Sequence, residues 1–148
     1  MDDPAAFDLY AAVYDLIYAE KNSGAEVNFV HEQLERHGLS SGAAILELGA
    51  GTGRHARHFV DFGYNVVGVE ASAEMIRLAE KTPGFSLMHG DARVARLNRT
   101  FGAVVALFHV LSYQTTERDV RNFFGTANAH LTSGGLFGFD IWYSPAVH

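Results

Sequence analysis

Cysteine is absent from the 148 residues, which excludes disulfides, zinc–cysteine sites, iron–sulfur clusters and a thiol nucleophile. Basic residues are scarce. Eleven lysines and arginines stand against seventeen acids, a net charge of −6 with histidine neutral. A broad basic face for nucleic acid is therefore not expected. Long apolar runs are missing as well. The longest, Phe101 to Leu111, contains His109 and is too short to span a bilayer. The Met-Asp-Asp-Pro start is acidic and has no apolar core, so it does not read as a signal peptide. Only 3 prolines occur, and no repeat or Pro/Ser linker divides the chain. The expectation is one cytoplasmic domain with no membrane or nucleic-acid partner. Its 48% hydrophobic and 19% charged residues suffice for a core without staples.

What is present alternates between two periods. Pro4 to Glu20 places Phe7, Tyr10, Ala11, Tyr14, Ile17 and Tyr18 at helical spacing, and a helix is predicted there. Asn22-Ser23-Gly24 reads as a break, and Ala25 to His37 as a second helix closed by Gly38. Strands are predicted over Ala43 to Leu48, Tyr64 to Val69, Phe85 to Met88, Ala103 to Phe108 and Leu136 to Trp142. Helices are predicted between them, over Arg54 to Phe62, over Ala73 to Lys81 after the N-cap Ser72, and over Glu117 to His130. Five apolar strands alternating with helices imply an α/β fold, a doubly wound and mostly parallel sheet. Ligands of such sheets sit at the carboxyl ends of the strands.

The first of those ends is Glu47-Leu48-Gly49-Ala50-Gly51-Thr52-Gly53, a glycine turn between strand and helix. Glu70 closes the next strand, about 20 residues on, where an acid accepts hydrogen bonds from ribose hydroxyls. The dinucleotide fingerprint puts its third glycine three residues after the second. Here Gly53 follows Gly51 by two, and position 54 is arginine. Glu47 would repel a pyrophosphate but suits a cationic ligand with an ammonium and a sulfonium. The loop points to S-adenosylmethionine rather than NAD, and an NAD-dependent oxidoreductase is disfavoured.

Glu47 to Gly53 resembles motif I of the class I S-adenosylmethionine-dependent methyltransferases. Val67 to Ser72 resembles their second motif, Gly90 to Arg93 the third, Phe101 to Tyr113 the fourth, and Leu131 to Asp140 the turn and strand that follow. Tyr14 to Tyr18, Lys21 and Phe108 to Tyr113 are similar to small-molecule members such as the sugar N-methyltransferases and the glycine N-methyltransferase-like group. The resemblance implies a Rossmann-like sheet and a methyl transfer from S-adenosylmethionine, leaving S-adenosylhomocysteine. The acceptor would be an amine or hydroxyl of a small molecule. It implies that Glu70 holds the ribose diol, with Gly49, Ala50, Gly51 and Gly53 close to the methionyl part and ribose. Glu47 would face the cationic methionyl end. Ala71 and Met75 would line the adenine pocket, Met75 also serving as core. Asp91 would accept from the adenine amino group beside the Ala92 backbone, or act as a turn acid. Phe108 would offer its carbonyl to the methionine ammonium. Tyr14 and Tyr18, on a stripe that also reads as core, would touch the methionyl carboxylate or the acceptor.

His109 follows the fourth strand and reads either as a base for a protonated acceptor or as a packed histidine. His55 and His58 read as a solvated helix face and not as a metal site, and Arg93, Arg96 and Arg99 as a solvated loop. Residues 1–40 are expected to form a helical cap and 41–148 the sheet domain, without the closing strands usual in this class. A cofactor-binding module without turnover is the alternative function. The apolar fifth strand suggests a homodimer through an open sheet edge.

Overall fold

The computed structural model describes residues 22–141. The helix predicted over Pro4 to Glu20, with Tyr14 and Tyr18, lies outside the described residues. The elements run α1 (Ser23–Arg36), β1 (Ala44–Leu48), α2 (Arg54–Asp61), β2 (Asn65–Glu70), α3 (Ala73–Leu78), β3 (Phe85–His89), β4 (Phe101–Ala106), a 3-10 turn (Val110–Tyr113), α4 (Glu117–His130) and β5 (Leu131–Phe139). The strands form one sheet in the order β3-β2-β1-β4-β5, and every pair is parallel. The chain steps outward from β1 to β3, then crosses back to β4 beside β1. The crevice of this doubly wound sheet therefore opens between the carboxyl ends of β1 and β4.

Side-chain parity distributes the core. Leu46 and Leu48 face the layer that holds Phe123 and Ala127 of α4. Ile45 faces the other layer, with Val27 and Leu34 of α1 and Ala56 and Phe59 of α2. Glu47, two residues on from Ile45, shares that second face. The strand thus sends an acid into the layer between the sheet and α1 and α2. Among the described residues, no helix is long and apolar enough to cross a membrane, and no group of three or more histidines and acids could hold a metal ion.

Several boundaries differ from the sequence expectation, four of them with a bearing on the site or the sheet. Asn22, read as part of a break, is the N-cap of α1, its side chain accepting from Ala25 N at 2.9 Å. The helix α3 stops at Leu78 rather than Lys81, and Ala79 turns to extended backbone. Ala79-Glu80-Lys81 provide no large apolar side chain to anchor another turn. β5 starts at Leu131 rather than Leu136. Its register on β4 jumps from Phe101↔Leu131 to Ala103↔Leu136, so Gly134-Gly135 form an irregularity within the strand rather than a turn before it. β4 ends at Ala106, and Phe108, expected to close it, lies beyond in a left-handed conformation.

Candidate functional site

The glycine loop is fastened from below. Gly49 N and Ala50 N both donate to Val69 O of β2, at 2.8 and 3.1 Å. Gly53, at φ +85°, is the N-cap of α2. A Cβ on Gly53 would sit 2.6 Å from Phe85 Cε1, and one on Gly49 (φ +71°) would sit 2.7 Å from both Val110 methyls. Both glycines are therefore dictated by space as well as by backbone angle. Gly53→Ala is expected to cost about 2–4 kcal/mol, combining left-handed strain with overpacking. Gly125→Ala, in the open middle of α4, is expected to add about 0.5–1 kcal/mol. Urea unfolding of the two variants reads both signs. Equal midpoints would show that the loop tolerates a side chain.

Glu70 is buried, and its carboxylate spans two loops. Oε2 accepts from Gly51 N at 2.7 Å and Oε1 from Ser72 N at 3.0 Å. It thus ties the glycine loop to the turn that opens α3. Each oxygen has capacity for a second donor. Ser72 caps α3 as expected, accepting from Met75 N at 3.1 Å, and Met75 is buried in the first turn. Ala71 gives its carbonyl to His89 Nε2 at 2.8 Å. Gly90 N donates to Glu70 O at 3.0 Å, which brings the Asp91 segment alongside.

Glu47 is fully buried, and neither carboxylate oxygen has a hydrogen-bond partner. Burial pushes its pKa up to about 7. His55 opposes that rise, Glu70 adds to it, and Arg57 opposes it. The solvated face expected for His55 is corrected here. His55 is only 7% exposed and bridges two acids, with Nε2 2.7 Å from Glu26 Oε2 of α1 and Nδ1 3.6 Å from Glu47 Oε1. The signal lay in its i,i+4 relation to buried Phe59. A buried, orphaned carboxylate calls for an explanation, and a cation arriving from the crevice side provides one.

Asp91 is held by Arg93. The guanidinium contacts both carboxylate oxygens at 2.8–3.1 Å, and Arg93 N donates to Oδ1 at 2.8 Å. The Arg93 side chain beside it holds the carboxyl below its ordinary pKa. Arg93 also reaches Asp119, at 3.4 Å. Arg96 donates to Thr126 Oγ1 at 3.1 Å, and Arg99 lies 4.4 Å from the centre of the Phe101 ring. The solvated-loop expectation holds for Arg96 and Arg99, which are exposed, and is corrected for Arg93, which is half-buried between Asp91 and Asp119. Ala92 packs against the α4-side core.

Beyond β4, Phe108 and His109 adopt φ +66° and +63°. Val110 follows them and packs over Gly49. The acid after β5, Asp140, accepts from both amides. The sequence reading did not assign Asp140 a role. The structure therefore brings Glu47, the glycine loop, Glu70 and the Phe108–His109 corner to one end of the sheet, with Met75, Asp91 and Ala92 along its β2–β3 side.

The sequence profile of the methyltransferase-domain family matches residues 45–135, and the chain belongs to that family, the class I S-adenosylmethionine-dependent methyltransferases. It is 34% identical over 140 residues to the dTDP-3-amino-3,4,6-trideoxy-alpha-D-glucopyranose N,N-dimethyltransferase of Streptomyces venezuelae, covering 92% of this chain and 58% of that protein. It is 30% identical over 138 residues to the dTDP-3-amino-3,6-dideoxy-alpha-D-glucopyranose N,N-dimethyltransferase of Streptomyces fradiae, covering 91% and 54%. The crystal structure of Streptomyces venezuelae DesVI superimposes with a TM-score of 0.82 at 33% identity, over 94% of this chain and 60% of that one. S-adenosylmethionine-bound CalS10, an amino pentose methyltransferase from Micromonospora echinaspora, gives 0.81 at 30%, over 88% and 56%. The chain spans 54–58% of the length of these two curated relatives.

Proposed function

We propose that this chain binds S-adenosylmethionine and transfers its methyl group to the amine of a small molecule, a nucleoside-diphosphate-linked amino sugar being the favoured class. The observation that supports this most is Glu47, a buried acid without a hydrogen-bond partner beneath a glycine loop. A pyrophosphate would be repelled there, whereas an ammonium and a sulfonium are attracted. The relatives named above act on amino sugars or their dTDP conjugates.

In this reading, Glu70 and Gly51 meet the ribose, and Glu47 and the Phe108 carbonyl meet the methionyl ammonium. Gly49, Ala50 and Gly53 let the backbone approach closely. Ala71, Met75, Asp91 and Ala92 border the adenine, with Asp91 sharing its carboxylate between Arg93 and the ligand. Tyr14 and Tyr18, outside the described residues, keep the role that the resemblance implies, toward the methionyl carboxylate or the acceptor. When bound, S-adenosylmethionine supplies an electrophilic methyl on a sulfonium, open to in-line attack by an amine lone pair. The protein's work is to hold the acceptor in that line and to manage one proton. Positioning of this kind is worth roughly 7–11 kcal/mol in favourable cases. His109, three residues past β4, would take the proton from an acceptor that arrives as an ammonium.

Labelled methyl transfer to a dTDP-linked 3-amino sugar tests the proposal, with the 3-hydroxy analogue as control. Transfer to the amine alone is expected. The second reading, a cofactor-binding module without its own turnover, draws on the chain's 54–58% coverage of its relatives. It predicts cofactor binding with no label on either sugar.

A further inference from the structure

Phe108 and His109 are an uncommon pair. Two successive residues with a Cβ occupy left-handed backbone, at φ +66° and +63°. Such residues are a few per cent of non-glycine positions, and bulky ones are rarer still. A chain that needed only a turn here would use glycine. Something must hold the conformation, and the structure shows what does. Asp140 Oδ1 accepts from His109 N at 2.6 Å, and Asp140 Oδ2 accepts from Phe108 N at 3.0 Å. Both are charge-assisted bonds from a carboxylate to backbone, among the stronger kinds available. The register explains the reach. Phe139 lies opposite Ala106, so Asp140 emerges from β5 level with the first residues past β4. The imidazole stands on the same carboxylate, with Nδ1 3.9 Å from Oδ1.

We infer that Asp140 is a positioning residue. Its carboxylate clamps the Phe108 and His109 amides, and so fixes where the Phe108 carbonyl and the His109 ring stand relative to the glycine loop. Val110, next in the chain, then seats against Gly49. The inference rests on the methyltransferase reading for what this corner faces. It does not require Asp140 to touch the cofactor.

Asp140→Asn is the discriminating change. The amide keeps one acceptor but turns an NH2 toward the other backbone N–H. The variant should bind S-adenosylhomocysteine about tenfold more weakly or worse, with its backbone NMR shifts at 108–109 moved out of the left-handed range in the unliganded protein. Adding Phe108→Gly together with His109→Gly should restore most of that affinity, because glycine takes the left-handed backbone at both positions without the clamp. A carboxylate that merely stabilised the domain, or that contacted the cofactor itself, would not be rescued in this way. Unmoved shifts at 108–109 in Asp140→Asn, wild-type affinity, or failure of the glycine rescue would each overturn the inference. If the wild-type chain binds no S-adenosylhomocysteine while the shifts still move, the methyltransferase reading fails, and the cofactor half of this inference falls with it.

Discussion

The unliganded chain should lose about 3 kcal/mol of stability from one side chain as pH rises from 4.5 to beyond 7, and Glu47→Gln should abolish that loss. The sign follows from the two pKa values. Unfolded, the Glu47 carboxyl titrates near 4.5. Folded, burial carries it to about 7. The folded state therefore holds its proton more tightly. The associated stability is full below 4.5 and is lost as pH rises through 7. Gln keeps the shape and has no proton to lose. Its urea-unfolding midpoint should lack this fall and lie above wild type at pH 8. Asp91 acts in the opposite sense, since Arg93 holds its pKa down, but its contribution is lost only as pH falls below the window. Subtracting the two stability curves isolates Glu47. Parallel curves would show that Glu47 titrates in the folded chain as it does in the unfolded one, with no rise in its pKa.

The same residue predicts a large effect on ligand binding. Affinity for S-adenosylhomocysteine should fall about tenfold for each pH unit below 7 and level off above it. The ligand's ammonium remains protonated in that range, and only the ionised form of Glu47 attracts it. Binding should release up to one proton at pH 6, which calorimetry reads from the dependence of heat on buffer ionisation. Glu47→Gln should bind weakly at every pH and release none. His55→Ala removes the partner that most strongly opposes the burial effect, so the break in the affinity curve should move upward. A flat affinity profile between pH 5.5 and 8 would remove Glu47 from the site. A site that costs stability when empty and recovers it on binding is what a buried functional acid entails.

Local signals made the order strand, glycine loop, helix, strand and acid legible in the sequence. Spacing alone places Glu70 at the end of β2, and the crossover rule supplies the parallel sheet. The doubly wound order β3-β2-β1-β4-β5 agrees with that class. What stayed hidden was long-range. The left-handed turn at Phe108 and His109 is imposed by Asp140, more than thirty residues away, and no local propensity announces it. His55 owes its burial to Glu26, 29 residues earlier on another helix. Part of that was within reach, since strand parity puts Glu47 on the Ile45 face and α2 turns His55 toward the same layer. The early start of β5 was masked by Thr132-Ser133-Gly134-Gly135, a polar, glycine-bearing stretch that paired strands seldom contain. Asp91 was placed correctly in the chain, but Arg93 two residues on was not recognised as its partner.

The central claim is that the crevice at the carboxyl ends of β1 and β4 is shaped for a sulfonium nucleoside and not for a dinucleotide. Thermal unfolding with S-adenosylhomocysteine and with NAD, each over a concentration series at pH 8, tests it most directly. S-adenosylhomocysteine should stabilise the chain by about 2.7 kcal/mol at one hundred times its dissociation constant, while NAD leaves the midpoint unmoved. Stabilisation by NAD with none from S-adenosylhomocysteine would contradict the account.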